Sequence, residues 1–242
     1  MKVNDRLIIP LDVENMKQAE QLIEELGGTV TTYKVGMQLF TKEGPKIVKY
    51  LKKNGKKVFL DLKFHDIPNT VMNAVKSASD MEVDMLTIHA MGGFEMMEAV
   101  AKMLWQLKNN GKKPPIVFAV TILTSLDSAF LEDVIGTTNR TMDDEIVILA
   151  RAAQSAGING VVASPQEIKR IRKECGEDLF ILTPGIRPAG SSKDDQSRTA
   201  TPKSAILDGA DYLVVGRPIT GSDNRLKAAK QVLKEMKEGL NG

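Results

Sequence analysis

The sequence predicts a (β/α)8 barrel, one domain over residues 1–242, and three observations carry that prediction. Eight apolar, β-rich runs recur along the chain, each followed by a stretch of helical periodicity. The runs are continuously apolar, as strands buried on both faces must be. Their spacing, roughly 20 to 45 residues, is that of βαβ units, and eight such units make a closed barrel. The same grammar also permits a doubly wound open sheet. The count of units and the placement of charges favour the barrel, and no shift in composition marks a domain boundary.

The elements follow in order. "RLIIPLD" is the first strand and "ENMKQAEQLIEELGG" its helix, with Met16, Ala19, Leu22, Ile23 and Leu26 at helical spacing and Gly27 as a stop. "TTYKVG" leads to a helix from about Gly44 to Asn54, opened by Pro45 and closed by Gly55. "KVFLDLK" precedes a helix opening near Pro68, and "VDMLTIH" precedes the long helix around Phe94 to Lys108. "PIVFAVTIL" leads through a short helix to "DDEIVILARAAQSAG", and "INGVVAS" leads to "PQEIKRIRKECG". "LFILTPG" passes through a polar loop to "TPKSAILDGA", and "DYLVVG" leads to the last helix, near Leu226 to Met236. The loop 187–200, "RPAGSSKDDQSRTA", breaks the grammar; so long a polar loop in a compact domain reads as a lid or as a floppy segment.

Composition narrows the function classes. A net charge of +2 argues for neither nucleic acid nor membrane as a partner. Paired lysines such as Lys52-Lys53 and Lys56-Lys57 read as solvated helix ends. The single cysteine, Cys175, excludes an internal disulfide and suits a reducing compartment. With only two histidines, a metal would have to sit on carboxylates. The N-terminal run ends at Asp12 without a small-residue cleavage site and reads as a strand rather than a signal peptide. Runs such as "IVFAV" are far too short to span a bilayer, so a cytoplasmic location is expected.

Alternate residues of a strand share a face. In the third run Phe59, Asp61 and Lys63 lie together, opposite Val58, Leu60 and Leu62. The leucine face should pack on helices, which turns Asp61 and Lys63 into the barrel at its C-terminal mouth. By the same parity Ile8, Pro10 and Asp12, then Thr32 and Lys34, then Thr87 and His89 point inward. Each strand meets its first inward ionisable group at its C-terminal end, the face where barrel enzymes keep their chemistry.

The eighth run ends in "VVGRP". Gly216 would allow close backbone approach, and Arg217 offers a planar fork of donors where this fold usually holds phosphate. Arg187 and Gln196, in the preceding loop, could close over the same phosphate. Asp12, Lys34, Asp61, Lys63 and Asp66 form an alternating set of acids and bases. An ammonium among carboxylates suits a general acid better than a Schiff-base nucleophile. No G-x-G-x-x-G and no P-loop is present, so the chemistry should run on side chains alone or with a metal on the carboxylates.

"DLKFHDIPNTV", with the pattern D-x-K-x-x-D-I-P-x-T, resembles the signature of the orotidine 5′-phosphate decarboxylases, in their shorter bacterial form. "LDVEN" at 11–15, "YKVG" at 33–36, "TIHAMGG" at 87–93, "LTS" at 123–125, "TPGIRP" at 183–188 and "VVGRPI" at 214–219 extend the likeness nearly end to end. The resemblance implies conversion of orotidine 5′-monophosphate (OMP) to UMP, without metal or organic cofactor, by a homodimer. It implies Lys63 as proton donor to C6 of the pyrimidine and Asp61 beside the departing carboxylate. Asp66 and Thr70 would reach the neighbouring subunit's site. Lys34 and Asp12 would bind ribose hydroxyls, and Thr124 would contact the pyrimidine. Arg187, Gln196, Gly216 and Arg217 would bind phosphate under the 187–200 lid.

Two rivals stand beside this reading. One is a metal-dependent sugar-phosphate decarboxylase or synthase, which resembles this chain in the D-x-K-x-x-D core; "HDIPNT" and the Arg/Gln-bearing loop favour the nucleotide enzyme. The other is a catalytically silent phosphate-binding barrel, against which the clustered charges argue. His89 is expected to make a structural hydrogen bond. Trp105 and the methionines of "GGFEMMEAVAKML" should form a packed helix face, and Cys175 should be unreactive.

Overall fold

The computed structural model describes residues 2–136, 139–189 and 200–242. Eight parallel strands close a barrel in sequence order: β1 (Leu7–Pro10), β2 (Thr32–Gly36), β3 (Lys57–Phe64), β4 (Met85–His89), β5 (Ile116–Val120), β6 (Gly160–Val162), β7 (Phe180–Thr183) and β8 (Tyr212–Val214). β1 pairs with β8, with Leu7 opposite Leu213, which closes the ring and rules out the open sheet.

Burial divides as the alternation requires. Leu7, Ile9, Tyr33, Val35, Val58 and Leu60 pack outward in a large core shared with the helices. Ile8, Phe59, Met85, Phe118, Leu182, Tyr212 and Val214 form a separate cluster inside the barrel. Edge-to-face contacts tie this inner cluster together, Phe118 meeting Phe59 at 6.2 Å and Tyr212 at 5.6 Å between ring centres. The aromatic layer fills the lumen and becomes the floor beneath the charged residues at the mouth.

Helix signals act where the sequence places them. The Asn15 side chain accepts the Gln18 amide at the start of the helix Met16–Leu26, and Gly27 ends it at φ 49°. Pro45 and Pro68 open their helices. Thr141 and Asp144 form a reciprocal capping box at the helix Met142–Ser155. At the barrel's other end one device recurs three times: Asp84, Asn159 and Asp211, each just ahead of an even-numbered strand, accept the amides of Val58, Val117 and Ile181 on the strand before. The nearly buried Arg172 completes the last of these, donating to Asp211 and to the carbonyls of Gly209 and Leu179.

Several expectations change. A helical turn, Val3–Arg6, precedes β1, and a helix, Met37–Glu43, directly follows β2; neither has enough apolar periodicity to stand out. Met96, Met97 and Met103 are buried as expected, but Trp105 is 65% exposed on the opposite face of its helix. Cys175 is buried, and burial pushes its thiol pKa up, which disfavours the reactive thiolate. No helix among the described residues is long and apolar enough to cross a membrane.

Candidate active site

A cavity of about 320 Å³ opens at the C-terminal mouth of the barrel, lined by Asp12, Lys34, Asp61, Lys63, Thr124, Arg187, Gly216 and Arg217 among others. Apolar side chains of the barrel interior, Phe59, Leu182 and Val214, supply its base. The volume sits at the small end for a ligand pocket.

The charges form one chain across three strand ends. Lys34 Nζ lies 3.1 Å from Asp12 and 3.5 Å from Asp61, and Lys63 Nζ lies 2.9 Å from Asp61. Asp61 and Lys34 are the sheltered pair, with side chains 13% and 14% exposed, while Asp12 is 66% exposed at the rim. Acid and base alternate, so each buried charge has an opposite neighbour, and the pairing fixes each side chain. Gly36 fits beneath this chain: a Cβ there would lie 3.2 Å from Lys34 Nζ and 3.6 Å from Asp12.

Lys63 reaches the site by an irregular route. β3 and β4 pair at Leu60 with Leu86 and next at Phe64 with Ile88, so Asp61, Leu62 and Lys63 stand opposite Thr87 alone. Lys63 takes up part of this bulge at φ 51°, a left-handed conformation that lysine rarely adopts. Its amide donates to the Thr87 hydroxyl at 2.9 Å, and that hydroxyl donates to Asp61 at 3.0 Å. Thr87 is the residue that strand parity turns inward without revealing what it holds.

At the opposite rim, β7 runs into Pro184-Gly185 and β8 into Gly216, the first residue ahead of the short helix Arg217–Thr220. A Cβ on Gly216 would lie 3.2 Å from Pro10 Cγ, so the backbone passes close against β1 there. Arg187 lines the cavity, and among the described residues its buried Nη2 has no hydrogen-bond partner. The Arg187 amide donates to the Ala200 carbonyl at 2.9 Å, so the two ends of the loop meet beside the cavity. Gln196 and the stretch 190–199 lie outside the described residues.

Asp66, expected to reach the neighbouring subunit's site, lies apart from the other four charges within one chain. It is exposed on the loop after β3, its carboxylate accepting the Ile67 amide at 2.7 Å, and it does not line the cavity. The reason is local: the chain leaves the strand after Phe64 and turns away toward the helix Pro68–Asp80. Thr70, exposed in the first turn of that helix, is likewise outside the cavity lining. Between them Ile67 is 67% exposed. His89 accepts the Met91 amide at 3.3 Å and stacks on His65 at 5.2 Å between ring centres. Burial, then the neighbouring His65 and the Lys63 ammonium, lower the His89 pKa to about 4.

Comparison with known proteins points one way. The sequence model described as "Orotidine 5'-phosphate decarboxylase / HUMPS family" matches residues 5–232. A protein named orotidine 5′-phosphate decarboxylase from Carboxydothermus hydrogenoformans is 46% identical over 240 residues, 99% of each chain. Its namesake from Heliobacterium modesticaldum is 45% identical, again over 99% of each chain. Among solved structures, orotidine 5′-phosphate decarboxylase from Lactobacillus acidophilus superposes with a TM-score of 0.83 at 36% identity, covering 95% of this chain and 98% of its own.

Proposed function

Because the chain belongs to the orotidine 5′-phosphate decarboxylase / HUMPS family, we propose that it is a carboxy-lyase converting OMP to UMP and CO2, the closing step of pyrimidine nucleotide synthesis. The observation that carries this reading is the paired chain Asp12–Lys34–Asp61–Lys63 at the edge of a cavity that also holds Arg187 and Arg217. Loss of CO2 from C6 leaves an electron pair in an orbital with little resonance relief. A fixed ammonium beside that carbon stabilises the charge as it forms and then supplies the proton. Lys63 is that ammonium, held by Asp61 so that little reorganisation is needed during reaction. No metal or organic cofactor enters this mechanism.

Asp61 would stand beside the departing carboxylate, a repulsion relieved as CO2 leaves. Lys34 and Asp12 would take the ribose hydroxyls, and Thr124 the pyrimidine. Arg217, Arg187, the Gly216 backbone and Gln196 would grip the phosphate, with residues 187–200 as the lid. Phosphate binding far from C6 then drives closure and presses the ring against Lys63. The chain would work as a homodimer in the cytoplasm. The exposed positions of Asp66, Ile67 and Thr70 beside the mouth support a contribution from this loop to the partner's site.

The sister reading, a metal-dependent synthase on sugar phosphates, shares the barrel and the Asp-x-Lys core. Mixing the purified protein with OMP and following the loss of its ultraviolet absorbance, with and without EDTA, separates the two. Equal turnover in both supports the cofactor-free decarboxylase, and turnover abolished by EDTA would overturn it.

A further inference from the structure

We propose that Thr87 is a positioning residue for the reacting lysine, its hydroxyl holding the left-handed backbone of Lys63 and the carboxylate of Asp61 in one chain of hydrogen bonds. The inference rests on the reading of Lys63 as proton donor. Three residues of β3 bulge opposite Thr87, and the bulge leaves Lys63 at φ 51°. That conformation costs a side-chain-bearing residue free energy and persists only where neighbours over-determine it.

The over-determination is visible. The Lys63 amide donates to Thr87 Oγ1 at 2.9 Å, Thr87 Oγ1 donates to Asp61 Oδ1 at 3.0 Å, and Lys63 Nζ donates to the same oxygen at 2.9 Å. The ring therefore starts and ends on Lys63, through its backbone at one end and its ammonium at the other. A hydroxyl has one hydrogen to donate and lone pairs to accept with, and Thr87 uses both functions here. It is 1% exposed, so bulk water does not readily replace it. Its β-branch restricts χ1, which keeps the hydroxyl aimed at the bulge. Thr87 does not line the cavity, so it acts on substrate through Lys63 and Asp61 rather than by touching it.

The test uses the full chain with Thr87→Val, which keeps the shape and removes the hydroxyl, Thr87→Ser, which keeps the hydroxyl, and Lys63→Ala. OMP turnover and UMP affinity are measured for each. In Thr87→Val, kcat should fall roughly ten- to hundredfold while UMP affinity stays within about threefold, and Thr87→Ser should recover most of the loss. A valine variant with unchanged kcat overturns the proposal. So does one whose UMP affinity falls as far as its kcat, or a serine variant no better than valine. If valine prevents folding, Thr87→Ala serves with the same expectation. Lys63→Ala separates the failures: normal turnover there removes the proton-donor reading itself, whereas an inactive Lys63→Ala beside a fully active Thr87→Val removes only the role of Thr87.

Discussion

Replacing Asp61 by alanine should destabilise the protein far more than replacing Lys63, although the two residues form one ion pair. Asp61 is the shared partner: it faces Lys63 at 2.9 Å, Lys34 at 3.5 Å and the Thr87 hydroxyl at 3.0 Å, with a side chain only 13% exposed. At an effective dielectric near 20, the two attractions amount to about 6 and about 5 kcal/mol before desolvation offsets most of them. Removing the carboxylate leaves Lys63 without its carboxylate partner and Lys34 with only the exposed Asp12, a loss of about 3–5 kcal/mol by analogy with other broken buried pairs. For a chain of this size that lowers Tm by roughly 6–20 °C. Removing the Lys63 side chain leaves Asp61 with Lys34 and Thr87, and alanine keeps the same left-handed backbone cost, so the loss should stay near 1 kcal/mol. Urea unfolding followed by circular dichroism measures both. A Lys63→Ala variant as destabilised as Asp61→Ala, or an Asp61→Ala variant as stable as the parent, would refute the reasoning.

Arg217→Ala should cut kcat/KM for OMP by about ten- to hundredfold, the worth of a charge-assisted contact to phosphate, and barely alter turnover of the phosphate-free nucleoside; equal losses on both would remove Arg217 from the phosphate site. His89 predicts an acid-sensitive fold. Its pKa of about 4 in the fold lies below its ordinary 6.5, so between those values the unfolded chain binds a proton that the native state does not. Stability is therefore lost as pH falls from 6.5 toward 4, by about 1–2 kcal/mol once solvent around this half-buried ring is allowed for. The loss should be smaller in His89→Gln, and identical pH slopes in the two proteins would contradict the assignment.

Much of the site was legible because strand parity survives irregularity. β3 slips against β4 between Leu60 and Phe64, yet it gains two residues there, and an even slip leaves every side chain on its own face. Asp61 and Lys63 accordingly point where a regular strand would have pointed them. The bulge itself was not legible, since nothing in "DLKF" marks a left-handed residue. Thr87 was visible only as an inward threonine, because its role depends on a partner strand's irregularity. Within one chain the turn after Phe64 carries Asp66 away from the other four charges, and strand parity says nothing about a residue beyond the strand's end. Arg187 and Gly216 followed from the fold's habit of binding phosphate after its last two strands. The helix Met37–Glu43 escaped because seven residues give too little periodicity to read.

The central claim is that the Lys63 ammonium both stabilises the charge at C6 and protonates it. Turnover of OMP by Lys63→Ala, measured alongside its affinity for UMP, tests this most directly. Proton donation and fixed-charge stabilisation each contribute on the order of a hundredfold or more. The variant should therefore fold, bind UMP and lose decarboxylation by about four orders of magnitude. Near-normal turnover in a folded variant would contradict the account.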